Sequence, residues 1–498
     1  MNRRLIIPLF LLLVSAAFRF HPLAADLRFQ PDEALFSTFA RHAALNGAWL
    51  LPGALDKPPL SIYASALSMT LFIDAERLPG LLDLSPRLGE FAARLPNALA
   101  SLIVVALTYA LARRLYRKEH TARLAMLLAA LSPYAVGASA TAYTDGLMLL
   151  GMVAALWAVS TRRLSAAGIC LAFGFAAKQQ ALFYLPLLVG LAWALTDDVS
   201  LWRLALRLLV PTLVMAGILM VWDAARGQAT GFWALASAYN DPWRLVRSSE
   251  VIPRLQAWLE DGGFLLGAPV ITAALAAISL GAIAHRRYRQ PRRRAVLIDL
   301  ILLSFTLGYG LLHWLVAFNT YPRYLLPLVP VLALLAGRGV EWATKRFGRY
   351  SPAANTVVLW LLGLLMLFPA WDAANGRLKL IGDYANYEGV DALAAYLNRR
   401  APGAIIYDHW LGWELDYYLG QWTDKRRVYY PTPRALADDA LRQPDPAPRY
   451  FVAPAHQALT RWLDALATAG FRVTENYRSD NFVVVELAPP WAARDGLP

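Results

Sequence analysis

The feature that most constrains this chain is a series of long apolar segments separated by short basic runs. Apolar stretches recur at 5–18, 96–112, 121–139, 146–160, 164–177, 181–195, 207–222, 264–284, 295–317, 324–340 and 353–371. A helix needs about 20 largely apolar residues to cross a bilayer core, so the series predicts a polytopic α-helical membrane protein of about eleven spans. The segments 146–160 and 164–177 are short for that task and read as tilted partners or partly re-entrant helices. Composition agrees: 58% of residues are hydrophobic and 17% charged, where soluble domains carry about 25% charged residues.

The net charge of +13 invites a nucleic-acid reading, and the placement of the charges argues against it. The basic residues fall in clusters between apolar segments: Arg3-Arg4, the run 113–118, Arg162-Arg163, the run 286–294, and Lys345-Arg346 with Arg349. That is the positive-inside pattern of membrane topology. It puts the N-terminus in the cytoplasm and the C-terminus outside. Asp32, Asp145, Lys178, the loop 223–263 and Arg323 then share the outer side of a bacterial-type cytoplasmic (inner) membrane. Residues 5–18 read as a retained first span; the alternative is a signal peptide cleaved near Leu23-Ala24-Ala25. The single cysteine, Cys170, lies in an apolar run and can form no intrachain disulfide.

Two domains are expected. Residues 1–371 form the membrane domain, whose first external loop, 21–95, holds interfacial helices at 60–73 and around Phe91 and Leu95. Residues 372–498 alternate strand and helix signals. Helices are expected at 384–400, 410–419, 435–441 and 457–469, and strands at 404–407, 428–430, 450–453, 471–474 and 482–487. This is a small C-terminal extracytoplasmic α/β domain. No internal repeat, Gly-x-Gly-x-x-Gly or P-loop is present.

The chemistry concentrates in residues 28–60. Asp32 and Glu33 supply a general base, a metal-ligand pair or both, or else cap the helix that Pro31 begins. Asp56-Lys57-Pro58-Pro59 offers a cation to a phosphate on a stiff turn, or simply a rigid entry to a helix. Further along, Asp145 lies at a span end, as a cap or as a polar group facing a cavity. Lys178 interrupts two apolar segments, as a snorkelling side chain or an anion ligand. Arg323 beside Tyr324 anchors an interface or meets a phosphate. In the C-terminal region, Asp408-His409 with Trp410 and Trp413 faces a sugar or belongs to the domain core. Three carboxylates, Asp32, Glu33 and Asp56, are candidates for a divalent cation; no other cofactor is expected.

Charges at span ends without repeated halves argue for an enzyme over the alternative of a lipid or small-molecule transporter or flippase. A membrane-anchored scaffold acting through residues 377–498 is a third reading. Taken in order, the motifs resemble one family. They are the acidic pair, G-x-W-L-x-P at 47–52, K-P-P-L at 57–60, R-L-P at 94–96, Thr144-Asp145-Gly146, Lys178 and P-R-Y-L-L-P at 322–327. Residues 1–340 resemble the C-type (GT-C) glycosyltransferases related to protein O-mannosyltransferases and the lipid A aminoarabinose transferase.

The resemblance implies transfer of a hexose or pentose, with inversion, from a polyprenyl-phosphate donor to a lipid, glycan or protein acceptor. Asp32 would be the catalytic carboxylate, supported by Glu33. Lys57, Lys178, Arg323 and Tyr324 would contact the donor phosphate, and Asp145, Asp56 and Tyr63 would line the cavity or the acceptor side. The chain departs from the family in two places. Asp56 stands where a glutamate is common, and Ser61-Ile62-Tyr63 replaces an aromatic pair. Both leave metal coordination and donor choice open.

Overall fold

In the computed structural model, which describes residues 5–78, 81–196, 200–290, 293–347, 352–443 and 446–491, apolar segments become helices wherever proline and glycine allow. The N-terminal part runs α1 (Ile6–Ala24), α2 (Pro31–Asn46), α3 (Leu60–Met69), a ribbon of β1 (Asp74–Leu78) and β2 (Leu81–Asp83), and α4 (Pro86–Tyr116). Then come α5 (Glu119–Leu131), α6 (Pro133–Gly137), α7 (Asp145–Ser160), α8 (Leu164–Ala177), α9 (Leu185–Leu195), α10 (Leu201–Ala225), α11 (Phe232–Asn240) and α12 (Ser248–Gly262). The long helices α13 (Pro269–Arg289), α14 (Arg294–Leu315), α15 (Leu328–Phe347) and α16 (Pro352–Ala374) follow. The C-terminal part is α17 (Val390–Asn398), β3 (Ile405–Asp408), α18 (Gly412–Tyr418), β4 (Arg426–Tyr429), α19 (Pro433–Arg442), β5 (Arg449–Pro454), α20 (Thr460–Thr468), β6 (Arg472–Arg478) and β7 (Phe482–Ala488).

These elements form two compact units. The helical unit comprises Met1–Ala25, Ala48–Ser65 and Arg94–Ile381. The mixed unit comprises Asp26–Gly47, Ala66–Ala93 and Gly382–Pro498, so parts of the first external loop group with the C-terminal residues.

Among the described residues, six helices are long and apolar enough to cross a membrane: α1, α4, α10, α13, α14 and α16. The expected short segments 146–160 and 164–177 are α7 and α8, and they pack closely. A Cβ on Gly151 would lie 2.6 Å from the Gly174 nitrogen, so glycine is what lets the two backbones approach. The segment 121–139, expected as one helix, is broken. Pro133 has no N–H to continue α5, and Ser132 Oγ caps α6 by accepting from Ala135 N at 3.2 Å. Residues 223–263, expected as a loop, contain α11 and α12. Phe91 and Leu95 belong to α4, which begins at Pro86 rather than 96.

Several buried charges in the helical unit have partners. Arg19 of α1, wholly buried, donates to Ser101 Oγ (2.9 Å) and to the carbonyls of Ala129 (3.0 Å) and Ala130 (2.7 Å), which α5 leaves unpaired at its end. Several residues of the basic clusters are tied to carboxylates, including Arg286 to Asp299 (3.3 Å), and Lys118 and Lys345 to Glu341 (2.9 and 2.6 Å). Arg3, Arg4, Arg292 and Arg349 lie outside the described residues.

The mixed unit holds a five-stranded sheet in the order β4-β3-β5-β7-β6. β3 pairs in parallel with β4 and β5, while β7 runs antiparallel to β5 and β6. Every residue of β3 and β5 is buried, as in strands covered on both faces. The helix expected over 384–400 begins as a 3-10 turn, Tyr384–Tyr387; Gly389, at φ 85°, interrupts it before α17.

Candidate functional site

In the helical unit, the turns between helices carry the polar groups. A cavity of about 360 Å³ opens among Lys57, Lys178, Gln180, Trp233, His313 and Tyr324, with apolar side chains making most of the remaining wall. Lys57 is nearly buried and hydrogen-bonds the carboxylate of Asp56. The Asp56 carbonyl accepts from Gln179 Nε2 at 3.1 Å, which fixes the Lys-Pro-Pro turn against the start of the 3-10 segment Gln179–Tyr184.

Lys178 emerges where α8 ends. Its Nζ donates to Asp145 Oδ1 at 2.6 Å and lies 4.7 Å over the Tyr324 ring. Burial lowers the Lys178 ammonium to about 8; Asp145 opposes the fall, and the charges of Arg323 and Lys57 add to it. That cross-talk is the signature of three cations gathered with one buried carboxylate. Arg323 stacks its guanidinium 4.4 Å over Tyr143 and 5.1 Å over Tyr321. The Tyr324 hydroxyl donates to Asn240 Oδ1 at 2.7 Å, and its carbonyl accepts from Tyr309 OH (2.7 Å) and Gln180 Nε2 (3.3 Å).

Lys57, Lys178 and Tyr324 line the cavity and Asp145 is tied to it through Lys178, while Arg323 does not line it and acts on Lys178 through its charge. Tyr63 is placed elsewhere. Its hydroxyl donates to the Trp49 carbonyl at 2.5 Å and accepts from Trp222 Nε1 at 2.8 Å, and it does not line the cavity. Asn240, Trp233 and His313 escape a sequence reading. The first two sit on α11, within a stretch that reads as loop, and His313 is one of a few scattered polar residues in the otherwise apolar helix α14. The only sequence signal was the clustering of aromatics at Phe232, Trp233, Tyr239 and Trp243.

In the mixed unit, Asp32 and Glu33 occupy the first turn of α2, which Pro31 starts. Glu33 is wholly buried and its Oε2 accepts from the Gln30 amide at 3.3 Å, closing a capping box. Asp32 is half-buried, with Tyr387 and Glu414 as electrostatic neighbours. The helix is pinned to the C-terminal residues of its unit: Phe29 N donates to Tyr418 OH at 2.7 Å, and Arg41 donates to the Tyr417 and Leu84 carbonyls at 3.0 and 2.8 Å. Asp408 is bound to Arg427 (3.1 Å), while His409 and Trp410 pack with Trp462 at ring-centroid distances of 4.6 and 5.4 Å. Trp413 is exposed.

Among the described residues, no three His, Cys, Asp or Glu side chains are grouped to hold a metal ion. Of the three candidate carboxylates, Glu33 is engaged in its cap and Asp56 with Lys57.

Comparison with known proteins bears on the fold and the family. Residues 56–222 match the family described as dolichyl-phosphate-mannose-protein mannosyltransferase. The undecaprenyl phosphate-alpha-4-amino-4-deoxy-L-arabinose arabinosyl transferase of Edwardsiella ictaluri is 26% identical over 368 residues, 69% of this chain and 61% of that protein. The chain thus spans about three fifths of that relative's length. In solved structures, ArnT from Cupriavidus metallidurans, bound to undecaprenyl phosphate, superposes with a TM-score of 0.66 at 18% identity, covering 96% of this chain and 97% of that one. The oligosaccharyltransferase of Archaeoglobus fulgidus superposes at 0.54 with 10% identity, over 91% and 70% of the two chains. The chain has the polytopic fold of these membrane proteins and is similar to GT-C glycosyltransferases of the O-mannosyltransferase and ArnT type.

Proposed function

We propose that this chain is an inverting membrane glycosyltransferase that takes a sugar from a polyprenyl-phosphate donor and delivers it to an acceptor at the outer face of the cytoplasmic membrane. The observation that carries the reading is that Lys57 and Lys178 line a largely apolar cavity, with Arg323 among the charges that act on Lys178. Apolar wall and clustered cations suit a ligand that is lipid at one end and phosphate at the other.

In the reaction, the glycosidic bond to phosphate breaks as the acceptor oxygen or nitrogen attacks the anomeric carbon from the opposite face. Asp32 orients the acceptor and takes its proton. Lys57 and Arg323 stabilise the charge that grows on the departing phosphate, and Lys178 is released from Asp145 to join them. Tyr324, held by Asn240, positions that phosphate. Asp56 keeps Lys57 in place.

The similarity to aminoarabinose transferases makes an undecaprenyl-phosphate-linked pentose the first donor to try, with hexoses next and lipid, glycan and protein acceptors in parallel. The test is to purify the full-length protein in lipid nanodiscs, supply the donor panel, and follow release of polyprenyl phosphate. Consumption of one donor with transfer to an acceptor is expected. No consumption of any donor, with every acceptor class present, sinks the reading.

A further inference from the structure

Arg226 stands at the end of α10, and its side chain is buried. Its Nε donates to the Leu51 carbonyl at 3.2 Å. One terminal nitrogen donates to that same carbonyl at 3.0 Å and to the carbonyl of Gly53. The other donates to Asp223 Oδ1 at 2.9 Å, one turn back on α10. The guanidinium also lies 4.9 Å from the centre of the Trp222 ring. All three nitrogens are engaged, yet Arg226 does not line the cavity, and no step of the transfer uses it.

The segment it holds has no regular structure of its own. Residues 48–59 form neither helix nor strand, so their carbonyls need partners from elsewhere in the fold. Two of them have positive φ, Leu51 at 51° and Gly53 at 123°. For a leucine that conformation is strained, and it persists only where the surroundings impose it. The far end of the segment is fixed by Gln179, whose amide donates to the Asp56 carbonyl at 3.1 Å. Lys57 follows directly. An arginine at one end and a glutamine at the other thus hold the turn that presents a cation to the cavity.

Asp223 serves a second wall. Its carboxylate accepts from Phe232 N, at the first residue of α11, at 3.0 and 3.3 Å. That helix brings Trp233 and Asn240 to the cavity. We propose that Arg226 is a positioning residue for Lys57: its fork fixes the 51–53 turn to the Asp223 carboxylate, so that Lys57 is already in place when the phosphate arrives. Placement in advance matters because ordering a loop during binding subtracts from affinity. The inference rests on the transferase reading, in which Lys57 meets the donor phosphate.

The test separates the fork from its charge. Arg226→Lys keeps the positive charge, but a single ammonium does not span the Leu51 and Gly53 carbonyls and Asp223 together. Affinity for undecaprenyl phosphate, measured on the full-length protein in nanodiscs, should fall about tenfold. In a Lys57→Met background the same change should cost less than about twofold, because the residue Arg226 acts through is already gone. In a Lys178→Met background it should keep its about tenfold effect. In ligand-free protein, hydrogen exchange should quicken at residues 50–57 and match the wild type elsewhere in the helical unit.

Wild-type affinity in Arg226→Lys overturns the proposal, since charge alone then suffices. An equal loss with and without Lys57 overturns it too, because the effect then passes through another group. Arg226→Gln, which keeps two N–H donors, takes the place of Arg226→Lys in the same cycle should the latter not fold. If neither folds, Arg226 serves the fold itself and the proposal falls. A wild type that does not bind undecaprenyl phosphate sinks the transferase reading. Hydrogen exchange then decides the clamp alone: faster exchange confined to 50–57 supports it, and an unchanged or generally raised rate overturns it.

Discussion

Lys178 Nζ lies 2.6 Å from Asp145 Oδ1, with both side chains nearly free of solvent. A buried pair of this kind contributes little net stability, but breaking it leaves one charge stranded. It is also a reserve of charge: an arriving phosphate competes with Asp145 for Lys178.

The first prediction concerns that pair. Asp145→Asn strands the ammonium and should cost about 3–5 kcal/mol of stability, read as a lowered melting temperature of the solubilised protein. The double variant Asp145→Leu with Lys178→Met should recover most of that loss, since apolar residues fill the site without a stranded charge. It should still lack donor binding. A double variant that binds polyprenyl phosphate as well as the wild type would refute the role of Lys178.

Asp32 is tested separately from the cations. Asp32→Asn retains the size of the side chain and removes its basicity. Turnover should drop by about 10²–10⁴, while affinity for polyprenyl phosphate stays within a few-fold. Calorimetric binding alongside single-turnover transfer separates the two. A variant that transfers sugar at the wild-type rate would remove Asp32 from the mechanism.

Much of this was legible in the sequence. Lys178, Arg323 and Asp145 interrupt apolar segments at span ends, and Lys57 stands on the Lys-Pro-Pro turn of the first external loop, where an unexplained charge is conspicuous. The structure pairs Lys178 with Asp145 and sets Lys57 and Lys178 on one cavity. Most strands and helices of the C-terminal sheet fall within a few residues of where their periodicity puts them, as with β3 and α19. The pinning of α2 was not legible. It depends on the backbone amide of Phe29, the backbone carbonyl of Tyr417 and the guanidinium of Arg41, groups whose partners lie hundreds of residues away and leave no local pattern. The break at Ser132-Pro133 was readable in hindsight from the proline. The shape of α11 was not, because nine residues rich in aromatics satisfy loop and helix patterns equally.

The Lys178 ammonium, lowered by burial to about 8, gives a third prediction. Below that pH it is charged and attracts the phosphate; as pH rises through about 8 it loses its proton and the attraction goes with it. The dissociation constant for polyprenyl phosphate should therefore be flat from pH 6 to 7 and weaken above about 8. Bound phosphate holds the proton on Lys178, so kcat at saturating donor does not share this limb. Lys178→Arg, charged at every accessible pH, should abolish the dependence. A wild-type affinity that does not change between pH 6 and 10 would contradict it.

A final prediction concerns how Asp32 is held. Gly382 has φ at +136°, a region that side chains rarely adopt, and a Cβ there would overlap the Gln30 amide, lying 1.7 Å from its Oε1. Gln30 is the N-cap of α2 and forms the reciprocal box with Glu33. Gly382→Ala therefore imposes backbone strain and pushes the cap away from the first turn that bears Asp32. The strain should cost about 1–3 kcal/mol, and loss of the cap about 1 kcal/mol more. Turnover should fall with donor affinity preserved, the same kinetic split expected of Asp32→Asn but smaller. Pairing Gly382→Ala with Gln30→Ala relieves the overlap, so the double variant should be more stable than Gly382→Ala alone. If Gly382→Ala is as stable and as active as the wild type, the first turn of α2 does not depend on this cap.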